Sequence, residues 1–429
     1  MAAPLAKLHT MVRRGGIVLT RSSTADIAGS VKPGVNRKGT DCTRAAARLY
    51  SRAGEGTTSS VAAPAAAAFR LNNRKYLGAK HRLLDFLHEA VLSRVPSPEV
   101  FIDGFAGTGV VGEHFRRYAG RIVSNDLLYS NYVVNQAFLN STPRNVDLGR
   151  VEELLSALNR LPPSPGYVLE NFGGRYFTPE NAARIDAVRE GAEELYRGGR
   201  CTEQERFLLL ASLLYAADKA ANTVGQYDAY LKHLEREPAE PAAAQGLPAA
   251  AAARGGRRHL VDSNVHKPLK LRLPAVELGE GGHEVYNEDL NTLIGRLRGD
   301  VLYLDPPYNT RQYIDCYHVL ENIARWERPP LYGKTRKFRR AVLKSRYSRQ
   351  AEASRALAEL IEAARSEHIF LSYNTEGIIP DEDIAAILGR KGRWEVCERE
   401  YAVFGNGAGS SRRRMLRERV FYCRARRGR

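Results

Sequence analysis

A chain of 429 residues, 43% of them hydrophobic, can bury a large core and has room for more than one structural unit. Its 65 Lys and Arg against 48 Asp and Glu leave a formal charge of +17, which favours an anionic partner, nucleic acid before membrane. The longest apolar run, residues 207–217, falls short of the ~20 residues a membrane helix needs and reads as a buried helix. The cysteines Cys42, Cys201, Cys316, Cys397 and Cys423 form no C-x-x-C pair, which argues against a zinc site and a secreted disulfide framework and makes a reducing cytoplasm the expected setting.

Residues 1–69, rich in Ala, Gly, Ser, Thr and Arg, read as a disordered basic extension; an organellar transit peptide and a start codon placed too far upstream are the alternatives. In "KHRLLDFLHEAVL" the apolar residues recur at helical spacing, so Lys80 stands near a helix start. "FIDGFAGTGVVG" reads as strand, tight turn and helix entry. Its Gly107, Gly109 and Gly112 spell G-x-G-x-x-G, and Asp126 closes the next strand, "GRIVSND", ~20 residues on, where a ribose-binding acid is expected. That spelling leaves a nicotinamide cofactor and S-adenosylmethionine both open. Helical stretches begin at Tyr176 and Glu203, and residues 235–258 read as a linker from their Pro, Ala and Gly content. Two further apolar strands end at Asp305 and Asn374, and the chain closes on an arginine-rich tail from Arg424. Alternating strands and helices predict an α/β fold with a doubly wound, mostly parallel sheet whose ligands bind beyond the carboxyl ends of the strands, where Asp126, Asp305 and Asn374 fall.

The informative stretch is "VLYLDPPYNTRQY". Two prolines directly after a buried strand stiffen the turn and hold Asp305 and Tyr308 in a fixed relation. An amine-bearing base fits such a device, its exocyclic amino group donating to the Asp305 carboxylate and the Pro306 carbonyl while the Tyr308 ring stacks on it. Downstream, Lys334, Arg336, Lys337, Arg339, Arg340, Lys344 and Arg346 are interleaved with aromatic residues, as expected of a surface that contacts a nucleic-acid backbone; a solvated basic face is the alternative.

Taken in order, "RKYLGAKHRLLDFL", "FIDGFAGTGVVGEHF", "SNDLLYSNYVVNQAF" and "LYLDPPYNTRQY" resemble the motifs of the DPPY-type adenine-specific (N6) DNA methyltransferases, over roughly residues 71–422. The resemblance implies a Rossmann-like methyltransferase fold, with residues 70–135 and 283–423 as the core and residues 136–282 as a largely helical target-recognition insertion. It further implies that S-adenosylmethionine is the cofactor. Tyr76, Lys80, Asp103, Phe105, Gly107, Gly109, Asp126 and Asp305 would form its site, and Asp305, Pro306, Pro307 and Tyr308 the catalytic motif, with no metal. Asp289 either approaches the adenine ring of the cofactor or caps a helix. Double-stranded DNA is the implied partner, with the target adenine flipped out of the stack. A monomer in the cytoplasm, associated with the nucleoid and paired with a cognate restriction endonuclease, is the corresponding expectation. An RNA adenine methyltransferase and an inactive DNA-binding relative are the competing readings.

Overall fold

The computed structural model describes residues 18–22, 68–235, 264–403 and 414–426. Strands β1 (Val18–Ser22), β2 (Val100–Asp103), β3 (Arg121–Asn125), β4 (Glu284–Tyr286), β5 (Val301–Leu304), β6 (His368–Ser372), β7 (Gly392–Val403) and β8 (Arg414–Ala425) form one sheet in the order β1-β7-β8-β6-β5-β2-β3-β4. Ladders from β6 through β5, β2 and β3 to β4 are parallel. Those joining β6 to β8, β8 to β7 and β7 to β1 are antiparallel. Parallel strands covered on both faces read as near-continuous apolar runs, and β5 and the first three residues of β2 do. Phe101, Val301 and Tyr303 point into one hydrophobic cluster, while Ile102, Leu302 and Leu304 point into the other.

The first face carries α1 (Leu84–Leu92), α2 (Val110–Phe115) and α3 (Tyr129–Leu139), then the insertion helices α4 (Leu148–Arg160), α5 (Tyr167–Phe172), α6 (Pro179–Arg197) and α7 (Glu203–Ala220). After the short α8 (Leu290–Leu293) on the second face, α9 (Tyr313–Arg325) returns to the first. Helices α10 (Gln350–Ala363) and α11 (Asp381–Lys391) complete the second face. The apolar run read as a buried helix lies in α7, which packs on α3 and α6. Side chains of α4 to α7 share one cluster with Phe101 of β2, so the insertion is fused to the core.

Within the stretch expected to be disordered, Val18–Ser22 pairs with β7; residues 1–17 and 23–67 lie outside the described residues, as do residues 236–263, most of the expected linker. The expectation of an unstructured tail from Arg424 needs correction. Arg424 pairs with His368 and Arg393 across the sheet, and its guanidinium holds Glu367 at 2.8 Å, so β8 extends to Ala425.

Chain order fixes where a ligand can sit. From β2 the chain moves outward to β3 and β4, then crosses back to β5 beside β2 and proceeds to β6. The switch point therefore lies between β2 and β5, and the loops leaving their carboxyl ends are the glycine turn and the Asp-Pro-Pro-Tyr turn.

Candidate active site

Those two loops face one cavity. Tyr76, Lys80, Phe105, Gly107, Asp126 and Asp305 all line it, and so does Asp289. Of the two expectations for Asp289 the helix cap is present, its carboxylate accepting from Thr292 N at the start of α8. Gly109 is the N-cap of α2 with φ 84°, and a β-carbon there would strike Asn135 Oδ1, so the tight turn needs glycine.

Asp103 is placed behind the cavity wall instead of on it. It is 1% exposed, its Oδ2 accepts from Gly112 N at 3.1 Å, and burial pushes its carboxyl up to about 8. The cause is strand alternation: Asp103 projects to the same side as Phe101, under α2.

Asp126 leaves the end of β3 and is pinned from three directions. Its Oδ2 accepts from Gly107 N at 2.8 Å, and its Oδ1 from Leu128 N at 2.8 Å and Asn131 Nδ2 at 3.0 Å. Burial outweighs these bonds and lifts the carboxyl to about 6. Asn131 Nδ2 also donates to Tyr76 Oη at 3.0 Å, while its Oδ1 accepts from the buried Arg74 at 3.0 Å. One buried amide thus fixes a wall residue from each of two distant segments. Tyr76 stacks on Tyr317 of α9 at 4.6 Å and covers Gly107 closely enough that a β-carbon there would lie 3.1 Å from the ring.

Lys80, expected near a helix start, is 6% exposed. Its Nζ lies 3.0 Å from Asp305 Oδ1 and 3.1 Å from Glu418 Oε1, and Ser372 Oγ donates to that same Glu418 oxygen at 2.7 Å. Glu418 comes from β8, the strand beside β6, and is 3% exposed. A lysine thereby sits between two buried carboxylates. Burial still raises Asp305 to about 6, because the stabilising Lys80 charge is shared with the opposing Glu418.

The segment carrying Lys80 is strapped to the helix that follows the proline turn: Leu77 N donates to Tyr317 Oη at 2.7 Å and Tyr313 Oη to Leu77 O at 3.2 Å. Pro306 is buried, and Pro307 lines the cavity. Tyr308 packs by Gly78, where a β-carbon would come within 3.6 Å of its ring, and its carbonyl accepts from Ile378 N at 3.0 Å.

The basic segment divides. Arg346 is paired with Glu359 at 2.7 Å and Arg340 with Glu327, whereas Lys334, Arg339 and Lys344 are exposed and Arg336 and Lys337 partly so. Its second half has a task the sequence did not suggest: Leu343, Ser345 and Tyr347 wall the cavity. Gln312 fixes that wall through reciprocal bonds with the Ser345 backbone at 3.0 and 2.8 Å.

Glu418 and Asn131 were also missed. Asn131 lies within a quoted motif, one helical turn past Asp126, and could have been noticed. Glu418 could not, because only the β6–β8 pairing brings it to Lys80. Among the described residues no group of His, Cys, Asp and Glu could hold a metal ion, and no helix is long and apolar enough to cross a membrane.

A family model described as D12 class N6 adenine-specific DNA methyltransferase matches residues 76–247 and 249–387, most of the chain and both cavity loops. The chain belongs to that family. The methyltransferase is 35% identical over 339 residues to the type II methyltransferase M.NlaIII of Neisseria lactamica, covering 77% of this chain and 92% of the relative. It is 34% identical to M.FokI of Planomicrobium okeanokoites over 74% of this chain, and to the modification methylase StsI of Streptococcus sanguinis over 73%. It spans only 47% and 46% of those two, about half their length. No solved structure matches the methyltransferase. The fold and the adenine-N6 DNA methyltransferase activity expected from the sequence are those of the family.

Proposed function

We propose that the cavity binds S-adenosylmethionine and that Asp305, the Pro306 carbonyl and Tyr308 receive an adenine flipped from double-stranded DNA, giving site-specific methylation at N6. The carrying observation is that Asp305, held by buried Lys80, opens into the same cavity as the glycine turn and Asp126. The donor set fits the cofactor. Asp126 offers a carboxylate to a vicinal diol, Phe105, Leu290 and Tyr347 offer apolar walls to a purine, and Tyr76 and Lys80 lie on the side suited to the charged methionine end. When bound, S-adenosylmethionine supplies a methyl group on a sulfonium.

The protein's own task is to aim the amine. An aromatic amino group keeps its lone pair in the ring, so N–H bonds to Asp305 and the Pro306 carbonyl favour the geometry that frees the pair, and they stabilise the positive charge that develops on N6. With its carboxyl near 6, Asp305 is also placed to accept the proton that N6 sheds. Tyr308 supplies a stacking face. Lys334, Arg336, Lys337, Arg339 and Lys344 are the basic residues left to meet the phosphates; Arg340 and Arg346 are engaged by Glu327 and Glu359. Action as a monomer in the cytoplasm, on the nucleoid and beside a cognate restriction endonuclease, belongs to the same reading.

Two measurements test it. Calorimetry is expected to show binding of S-adenosylhomocysteine and none of NAD, and Asp126→Ala is expected to weaken that binding by about 1.5–3 kcal/mol; saturable NAD binding would count against the assignment. Methyl transfer to DNA should exceed transfer to RNA of the same sequence, and the reverse would favour the RNA reading.

Activity should also depend on pH through Asp305. Acting as an acceptor requires the carboxylate, so methyl transfer is expected to decline as pH falls through about 6. The raised value makes the folded state the stronger proton binder between about pH 4 and 6. This carboxyl's contribution to stability is therefore full below that window and lost across it as pH rises. A rate that stays flat down to about pH 5 would remove Asp305 from the acceptor role.

A further inference from the structure

Away from the cavity, an open cleft separates the helical insertion from the segment after α9. Arg175, Tyr230 and Lys232 line it from the insertion, and Gly333, Lys334 and Arg336 from the other side. No acidic residue is among these, and none of the four cations is paired with a carboxylate among the described residues. Four like charges lining one cleft repel one another, so the arrangement is unfavourable until an anion enters.

The frame holding them is stiff. Tyr332 and Lys337 pair through backbone bonds of 2.8 and 3.1 Å, closing a turn in which Gly333 has φ 71° and Arg336 φ 53°. The second value places a residue with a β-carbon in the left-handed region, a strained state retained only where the surroundings hold it. Thr335 O, at the middle of the turn, accepts from Tyr176 Oη at 3.0 Å and lies 2.8 Å from His318 Nε2. On the opposite wall, buried Asn222 donates to Arg175 O at 2.8 Å and to Leu231 O at 2.6 Å, fixing the backbone beside Tyr230 and Lys232.

The cleft is continuous with the catalytic loop. Arg311 donates to Gln226 at 2.5 Å, Tyr227 N to Cys316 O at 2.7 Å, and His318 reaches the cleft's turn.

We propose that this cleft holds one phosphodiester of the DNA near the flipped adenine, clamped between the insertion and the 332–337 hairpin. The proposal rests on the DNA-adenine reading and adds to it a fixed grip on one phosphate, which sets the register of the duplex over the cavity.

Methylphosphonate scanning tests it. The sequence the enzyme methylates is first mapped in DNA from expressing cells, and duplexes are then made with a single neutral methylphosphonate at each position in turn. Wild-type enzyme is expected to lose about ten-fold in affinity or more at one position, or two adjacent ones, within a window of a few nucleotides around the target adenine. The double variant R175A/K334A should bind the unmodified duplex more weakly, with a salt slope lower by about one unit, and be indifferent to that methylphosphonate. R175K/K334R, which keeps both charges, should retain the sensitivity and so controls for folding. Sensitivity to that methylphosphonate persisting in R175A/K334A, or a wild-type enzyme insensitive at every position in the window, would overturn the clamp. Competition by inorganic phosphate with no sensitive position would overturn it in favour of a free-anion site. In each of these cases continued methyl transfer to DNA adenine leaves the functional reading standing, and its absence in wild type would sink that reading instead.

Discussion

Asp305→Ala is expected to lower single-turnover methyl transfer by two to three orders of magnitude or more while DNA affinity stays within a few-fold of wild type. The rate effect follows from removing the preorganised acceptor that aims the amine and meets the charge developing on it. Affinity is spared because phosphate contacts supply most of it and Asp305 lies inside the cavity. The fold should survive, since Lys80 keeps its 3.1 Å contact with Glu418. Tritium transfer under saturating conditions, paired with anisotropy titrations of labelled duplex, reads both quantities. A variant within ten-fold of the wild-type rate would show that another group aims the base.

Lys80→Met is expected to have the largest effect on stability. Removing the ammonium leaves Asp305 and Glu418 facing each other in a buried setting, and breaking a buried pair by deleting one partner costs about 3–5 kcal/mol. Without the cation the Asp305 carboxyl rises further, so the acidic limb of the rate profile should move to higher pH in this variant. Adding Glu418→Gln removes one of the two stranded charges, and the double variant should recover part of the loss, a coupling that denaturant midpoints of the four proteins measure directly. A Lys80→Met protein with an unchanged midpoint and an unchanged pH profile would return Lys80 to the status of a cofactor contact alone.

Much of this architecture was legible because a parallel sheet writes a simple signal. Strands β2, β3, β5 and β6 are short apolar runs, each followed by a turn or polar residue, and they were located within a residue or two. The glycine turn and the proline turn mark their own conformations through residues that permit or enforce unusual backbone angles. The edge of the sheet was not legible. Strands β7 and β8 carry many charged residues, and β8 runs into what looked like a basic tail. Side-chain positions were legible only as far as local sequence constrains them. Asp103 stands next to the glycine turn yet projects behind the cavity, since strand period decides its face. Arg340 and Arg346 looked free in a run of cations because Glu327 and Glu359 lie outside that run. Glu418 has no local signal at all, and its meaning comes from the antiparallel register that sets β8 against β6.

The most direct test of the central claim is nucleoside mass spectrometry of duplex DNA incubated with the enzyme and isotopically labelled S-adenosylmethionine. The account predicts labelled N6-methyladenine in the wild-type reaction and about a hundredth of it or less with Asp305→Ala over the same time. Labelled N4-methylcytosine or 5-methylcytosine in place of methyladenine, or undiminished methyladenine from the Asp305→Ala protein, would contradict it.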